Sequence, residues 1–160
     1  MMDKNDEARF QGHPHSTARI ADHPIHPMLI PFPIVCFVGA FVTDIVYSQN
    51  QDAGWAEAAI WLLGVGLVMA ALAAIAGLTD YLGDARIRRL TDALKHMLAN
   101  VTAVVLEVVN LVLRLNNPDF ARSTGIWISG VVVLILLYSG WKGGDLVYRH
   151  GIGVHDRSNV

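Results

Sequence analysis

The feature that most constrains this chain is a long hydrophobic run, Leu94 to Leu115, that carries five strongly polar side chains. They are His96, Asn100, Glu107, Asn110 and Arg114, and at ~3.6 residues per turn they fall within ~40° of one helix face. A charged group that faces lipid costs ~2.5 kcal/mol or more. The stripe must therefore face protein, and other helices must cover it.

Three further runs have the length and composition of membrane-spanning helices. Met28 to Ser48 is apolar except for Asp44, Ala58 to Leu78 contains no charged residue, and Gly125 to Tyr148 is interrupted only near its end. An apolar run of about 20 residues crosses the ~30 Å bilayer core. A hydrophobic content of 53% and a mean hydropathy of +0.40 agree with a membrane protein.

Four spans joined by short loops must alternate in direction, so the predicted fold is an all-α, up-and-down transmembrane four-helix bundle. We predict a flexible polar N-terminal tail over 1–22, the bundle over 23–150 and a C-terminal tail over 151–160. No internal repeat of 20 to 50 residues is evident.

The basic residues are distributed unequally between the two sides of the membrane. Ten lie on the side of the N-terminus (Lys4, Arg9, Arg19, Arg86, Arg88, Arg89, Lys95, Lys142, Arg149 and Arg157), whereas only Arg114 and Arg122 lie toward the other. Cytoplasmic loops of membrane proteins carry such an excess. We expect the N-terminal side to face the cytoplasm, with both termini inside, and we expect no nucleic-acid partner.

The predicted topology gathers titratable residues from all four spans at the cytoplasmic side. They are His26, Asp80, His96, Asp145 and His150, with His23 close by as a reserve ligand. Neutral imidazoles bind haem iron and transition metals, and a carboxylate behind them fixes the tautomer. One hypothesis is therefore a redox protein in which His26 and His96 bind haem b or a metal, with His150 as an alternative ligand and Asp80 and Asp145 in support.

Two other hypotheses explain the same residues. In the first, the polar groups only hold the helices together: His96 bonds to Asp80 or Asp145, Glu107 bonds to an Asn or Ser, and Asp44 pairs with Arg114. In the second, protons or ions pass along Glu107. Motifs of the common enzyme classes are missing, which favours a protein that is not an enzyme. A homo-oligomer or a membrane redox partner is compatible with all three hypotheses.

Several motifs together resemble a known family. They are His23-Pro24-Ile25-His26-Pro27-Met28, Asp44, Gly77-Leu78-Thr79-Asp80-Tyr81, His96 and the segment from Ser139 to Gly151. They resemble the small bacterial membrane proteins grouped as domain of unknown function 2231, over roughly Asp22 to Val154. The resemblance implies a four-span inner-membrane protein without a settled role. A looser similarity in span count and histidine placement connects such proteins to di-haem b-type cytochromes, but here the far side has no histidine, so two histidines could ligate at most one haem.

Overall fold

A computed structural model describes residues 14, 16–21, 23–117 and 119–154. Its elements in chain order are β1 (Arg19–Ile20), β2 (His23–Pro24), α1 (Ile25–Leu29), α2 (Pro31–Asn50), α3 (Ala53–Gly83), α4 (Ala85–Arg88), α5 (Thr91–Asn116), a π-helical turn (Ala121–Gly125) and α6 (Ile126–Tyr148). Four segments are long and apolar enough to cross a membrane: Ile25–Asn50, Ala53–Gly83, Thr91–Asn116 and Ser123–Tyr148. This confirms the prediction of four spans.

The first span begins with a short helix that runs directly into the main one. Ile30 joins α1 to α2 in helical geometry, and Pro31 opens α2. Proline has no N–H group, so Pro31 cannot donate to the carbonyl four residues earlier, and α2 begins at this residue. The second histidine of the His-Pro-Ile-His-Pro motif, His26, therefore sits in α1 at the edge of the span.

The second span is longer than its hydrophobic run. The N-cap residue of α3 is Asp52, whose side chain accepts a hydrogen bond from the backbone N–H of Gly54 at 2.9 Å. The helix has 31 residues, or ~46 Å at 1.5 Å per residue, whereas the hydrocarbon core is ~30 Å thick. Its last turn therefore carries Asp80 beyond the apolar run.

The four long helices form a square bundle. Helix α2 packs against α3 and α6, and α5 packs against the same two helices. Consequently α2 and α5 lie diagonally opposite one another, as do α3 and α6. This arrangement confirms the predicted up-and-down bundle.

An apolar layer fills the middle of the bundle. Its buried members are Phe37, Ala40, Leu63, Ala70, Ala103 and Val132. Large apolar side chains such as Val65, Val105 and Leu134 are exposed on the outer faces. A surface of this kind suits lipid, because without a bilayer it would be a large unprotected apolar patch.

The bundle has two ends, which we define by their residues. End A holds Pro24, Gly83 and Arg149, and end B holds Asn50, Ala53 and Asn116. Most of the predicted N-terminal tail lies outside the described residues. Residues 16–21, together with His23 and Pro24, form a strap at end A, in which β1 and β2 pair antiparallel.

Candidate functional site

Two histidines from diagonally opposed spans meet at end A. His26 comes from α1 in the first span, and His96 comes from the first turns of α5. Their ring centroids are 6.1 Å apart and their planes are nearly perpendicular, at 89°. The predicted convergence of these two residues is therefore present, and both side chains are about half buried.

Each imidazole is held by a backbone carbonyl of a neighbouring helix. Nδ1 of His26 donates to the carbonyl of Ala73 on α3 at 2.7 Å. Nδ1 of His96 donates to the carbonyl of Ser139 on α6 at 2.8 Å. A carbonyl only accepts, so both rings carry their proton on Nδ1 and present Nε2 as an acceptor.

Asn100 supports this tautomer of His96. Its amide nitrogen lies 3.1 Å from Nε2 of His96 and 2.9 Å from the carbonyl oxygen of the same residue. An amide N–H only donates, so Nε2 must present its lone pair to Asn100. Asn100 thus supports His96 by a hydrogen bond from one turn further along α5.

Glycines make room for both rings. A Cβ added at Gly77 would lie 2.9 Å from Cε1 and Nδ1 of His26, and one added at Gly143 would lie 3.1 Å from Cε1 of His96. Each glycine follows the accepting carbonyl by four residues, Ala73 to Gly77 and Ser139 to Gly143. His26 therefore packs against α3 in the same way as His96 packs against α6, although the sequence shows no repeat.

The predicted carboxylates of end A have partners other than these histidines. Oδ1 of Asp80 accepts from the hydroxyl of Ser16 at 2.9 Å and from the backbone N–H groups of Thr17 and Ala18 at 2.7 Å each. Asp80 therefore fixes the strap. Because both nitrogens of His96 are already bonded, the hypothesis that His96 bonds to Asp80 or Asp145 is wrong.

A separate ionic cluster surrounds Lys142. Its ammonium group lies 2.9 Å from Asp92 and 2.9 Å from Asp145. Arg149 reaches Asp145 at 3.2 Å, and Nε2 of His150 lies 3.3 Å from Asp92. Lys142 therefore links Asp92 in the first turn of α5 to Asp145 in the last turns of α6.

The predicted ligands do not form one larger metal site. Among the residues that the structure describes, no three His, Cys, Asp or Glu side chains are close enough together to hold an ion. His150 belongs to the ionic cluster, and Nδ1 of His23 donates to the carbonyl of Ala21 at 2.7 Å on the exposed strap. Only His26 and His96 remain as a pair.

The rest of the α5 stripe forms a buried polar network toward end B. Arg114 binds Asp44 of α2 through two hydrogen bonds, of 2.5 and 2.6 Å. Ser129 of α6 donates to the same carboxylate at 2.8 Å, and Asn110 accepts from Nε of Arg114 at 2.9 Å. Asn110 also donates to Oε2 of Glu107 at 2.8 Å. All five side chains are almost completely buried.

The two polar regions are not continuous. Ala103 lies on α5 between Asn100 and Glu107, and it belongs to the apolar layer with Phe37 and Leu63. The seven residues from Asn100 to Glu107 correspond to ~10 Å along the helix axis. The five polar residues of the stripe therefore share one face of α5 but belong to two separate polar sites.

Comparisons with known proteins give one finding. No curated protein and no solved structure matches the chain. Residues 22–156 match the family model described as "Predicted membrane protein (DUF2231)". The matched segment contains the strap from residue 23, all four spans and both polar sites. Since this match covers most of the sequence, the chain belongs to the DUF2231 family of predicted membrane proteins.

Proposed function

We propose that this membrane protein binds a metal centre, haem b or a single transition-metal ion, through Nε2 of His26 and His96, and that it serves a redox role. The observation that carries the proposal is the pair itself: two half-buried imidazoles 6.1 Å apart, each with Nδ1 bonded to a backbone carbonyl. Histidines that ligate metals usually donate their other N–H to such a partner, which fixes the ring and makes the free nitrogen more basic.

The spacing of the rings fits one shared ion. If both ε nitrogens bind a metal at ~2.0–2.1 Å, the ring centroids lie roughly 5–6.5 Å apart, depending on the angle at the metal. The observed 6.1 Å falls within this range. Perpendicular ring planes do not conflict with this arrangement, because two imidazoles can bind one ion whatever the angle between their planes.

The number of protein donors favours haem iron over a bare ion. A structural zinc site uses four protein ligands and a catalytic one three, whereas two histidines are brought together here among the residues that the structure describes. A porphyrin supplies four nitrogens of its own, so two histidines would complete the shell of its iron. Haem would supply one-electron chemistry. In either case the amide of Asn100 must turn away from Nε2 of His96.

We further propose that end A faces the cytoplasm of a bacterial inner membrane, with both termini on that side. The excess of basic residues near end A supports this orientation, since the loop Arg86, Arg88 and Arg89 lies there. The partners would be the lipid bilayer and a membrane redox protein or a second copy of the chain.

The decisive experiment is absorption spectroscopy and metal analysis of the protein purified in mild detergent from haem-replete cells. We expect a haem spectrum, or one metal ion per chain, that is lost in His26→Ala and in His96→Ala. His150→Ala is the matched control, because His150 lies in the ionic cluster, and it should keep the signal. The same three variants can be titrated with hemin and with Cu²⁺ separately.

Two outcomes would reject the proposal. A colourless, metal-free preparation that also fails to take up hemin or Cu²⁺ would favour the structural alternative, in which the polar residues only fix the helices. Loss of the signal in His150→Ala alone would reject the assigned ligands. The alternative of a proton or ion pathway along Glu107 receives less support, because the apolar layer separates Glu107 from the histidines.

A further inference from the structure

The buried network toward end B ends at Oε1 of Glu107. Of the buried side-chain nitrogen and oxygen atoms that the structure describes, Oε1 of Glu107 is without a hydrogen-bond partner. The other oxygen accepts one bond, from the amide of Asn110. Buried polar atoms normally have partners, so an unpartnered one in the middle of a membrane protein requires a reason.

The charges of the network indicate the protonation state of this carboxyl group. The ionisable groups in the network are Asp44 on α2 and Glu107 and Arg114 on α5. α6 contributes only the neutral Ser129, and α3 has no ionisable residue between Glu57 and Asp80. If all three groups were ionised, the fully buried network would carry one uncompensated negative charge. Burial in a medium of low dielectric constant strongly disfavours that state.

The hydrogen bonds identify which of the two carboxyl groups carries the neutralising proton. Asp44 accepts two bonds from the Arg114 guanidinium and one from Ser129, which is the environment of an ionised carboxylate. Glu107 accepts from a neutral amide only. Its Oε1 is therefore the atom to which a proton adds without breaking any existing bond.

We infer that Glu107 is a proton-binding site within the membrane, with the proton on Oε1, and that this site is separate from the histidine pair. The bound proton makes the network of Asp44, Arg114 and Glu107 neutral. The inference does not depend on metal or haem binding at end A. A monovalent cation beside Glu107 is the competing occupant, and the test distinguishes the two.

The test is infrared spectroscopy of the full-length protein in mild detergent at pH 7, with glutamate labelled with ¹³C at the side-chain carboxyl. The chain contains three glutamates, Glu7, Glu57 and Glu107. We expect a band from a protonated glutamic acid that shifts with the label and shifts again in D₂O. The band should be absent in Glu107→Gln and unchanged in Glu57→Gln, since Glu57 is exposed.

The wild-type spectrum alone can overturn the inference, so the test does not require that Glu107→Gln folds. Only ionised glutamate bands at pH 7 would reject it. A protonated band that disappears when Na⁺ or K⁺ is added would show that a cation occupies the site instead. A band that survives in Glu107→Gln would assign the proton to another glutamate and would reject the inference as well.

Discussion

At the scale of single residues, the two histidines depend on glycines that no ligand pattern would reveal. A helical carbonyl already accepts one hydrogen bond from its own helix. An imidazole of another helix can bond to the second lone pair of that carbonyl only if no side chain blocks its approach. Gly77 leaves that space for His26, and Gly143 leaves it for His96. The position of each ring thus depends on the absence of a side chain at the glycine that faces it.

Gly77→Ala tests this dependence. The new Cβ would lie 2.9 Å from two ring atoms of His26, so the ring must move and its bond to Ala73 is lost. We expect a destabilisation of about 1–3 kcal/mol, as for other overpacked sites. The measurement is thermal unfolding in detergent, with His26 ligation read in the same samples.

Gly64→Ala is the matched control on the same helix. Nothing lies within 4 Å of a Cβ at Gly64, so this change should be neutral or should stabilise α3 by up to ~1 kcal/mol through helix propensity. If Gly77→Ala behaves like Gly64→Ala, the ring of His26 is not packed against α3 as described.

The ion pair of Asp44 and Arg114 gives a second prediction at this scale. Asp44→Asn leaves the Arg114 charge buried without its counterion, which typically costs about 3–5 kcal/mol. The double variant Asp44→Asn with Arg114→Gln removes both charges and should be less destabilised than the single one. A double variant as unstable as the sum of the two single variants would mean that the charges do not interact.

A contact between two charged side chains could be predicted from the sequence, whereas contacts to a backbone carbonyl could not. The Asp44 and Arg114 pair was predicted because both charges lie toward the same end of their spans, where each needs a partner away from lipid. The partners of His26 and His96 were not predicted, since every residue has a backbone carbonyl and the sequence does not mark the one that accepts. The orphan oxygen of Glu107 likewise depends on side-chain packing, which the sequence does not specify.

At the scale of elements, hydropathy located all four spans but underestimated some of their lengths. The second run was predicted as Ala58 to Leu78, whereas α3 extends over Ala53–Gly83. The apolar pattern marks only the part of a helix that lies in hydrocarbon, and the polar turns beyond it depend on caps such as Asp52. Those added turns carry Asp80, which binds the strap.

The π-helical turn before α6 was not foreseen either. It brings Gly125 close to Arg114 and Asn110, where a Cβ would lie 3.0 Å from Nη2 of Arg114 and 3.2 Å from Oδ1 of Asn110. A wider helical turn is often found at functional sites. Here it gives the guanidinium room beside the backbone of the fourth span.

The strap at end A can be tested separately, because one carboxylate accepts three of the hydrogen bonds that hold it. Asp80→Ala removes the acceptor for Ser16, Thr17 and Ala18. We expect the strap to detach and trypsin to cleave after Arg19 several times faster, as read by mass spectrometry of the released peptide. The four helices should remain folded, since Asp80 lies at the end of α3.

Asp52→Ala is the control for this change, because Asp52 is also a helix-end aspartate of α3 but lies at end B. Its loss should leave cleavage after Arg19 at the wild-type rate. Equal cleavage in wild type and Asp80→Ala would show that the strap is held by other contacts.

At the scale of the whole molecule, the bundle keeps two polar sites apart with an apolar layer. The histidine pair lies near end A, the network of Asp44, Glu107 and Arg114 lies toward end B, and Phe37 and Leu63 lie between them. Such a layer separates the two sites with side chains that carry no polar group. The orientation in the membrane then decides which site each compartment can reach.

The orientation can be measured by labelling with cysteines in a background that carries Cys36→Ala. Ala53→Cys places an exposed thiol at end B, and Ala85→Cys places one in the loop at end A. If the excess of arginine and lysine keeps end A in the cytoplasm, a membrane-impermeant maleimide should label Ala53→Cys in cells with a permeabilised outer membrane. It should label Ala85→Cys only after the inner membrane is disrupted. The reverse pattern would place the histidine pair on the periplasmic side, and any electron donor or acceptor would then have to be sought there.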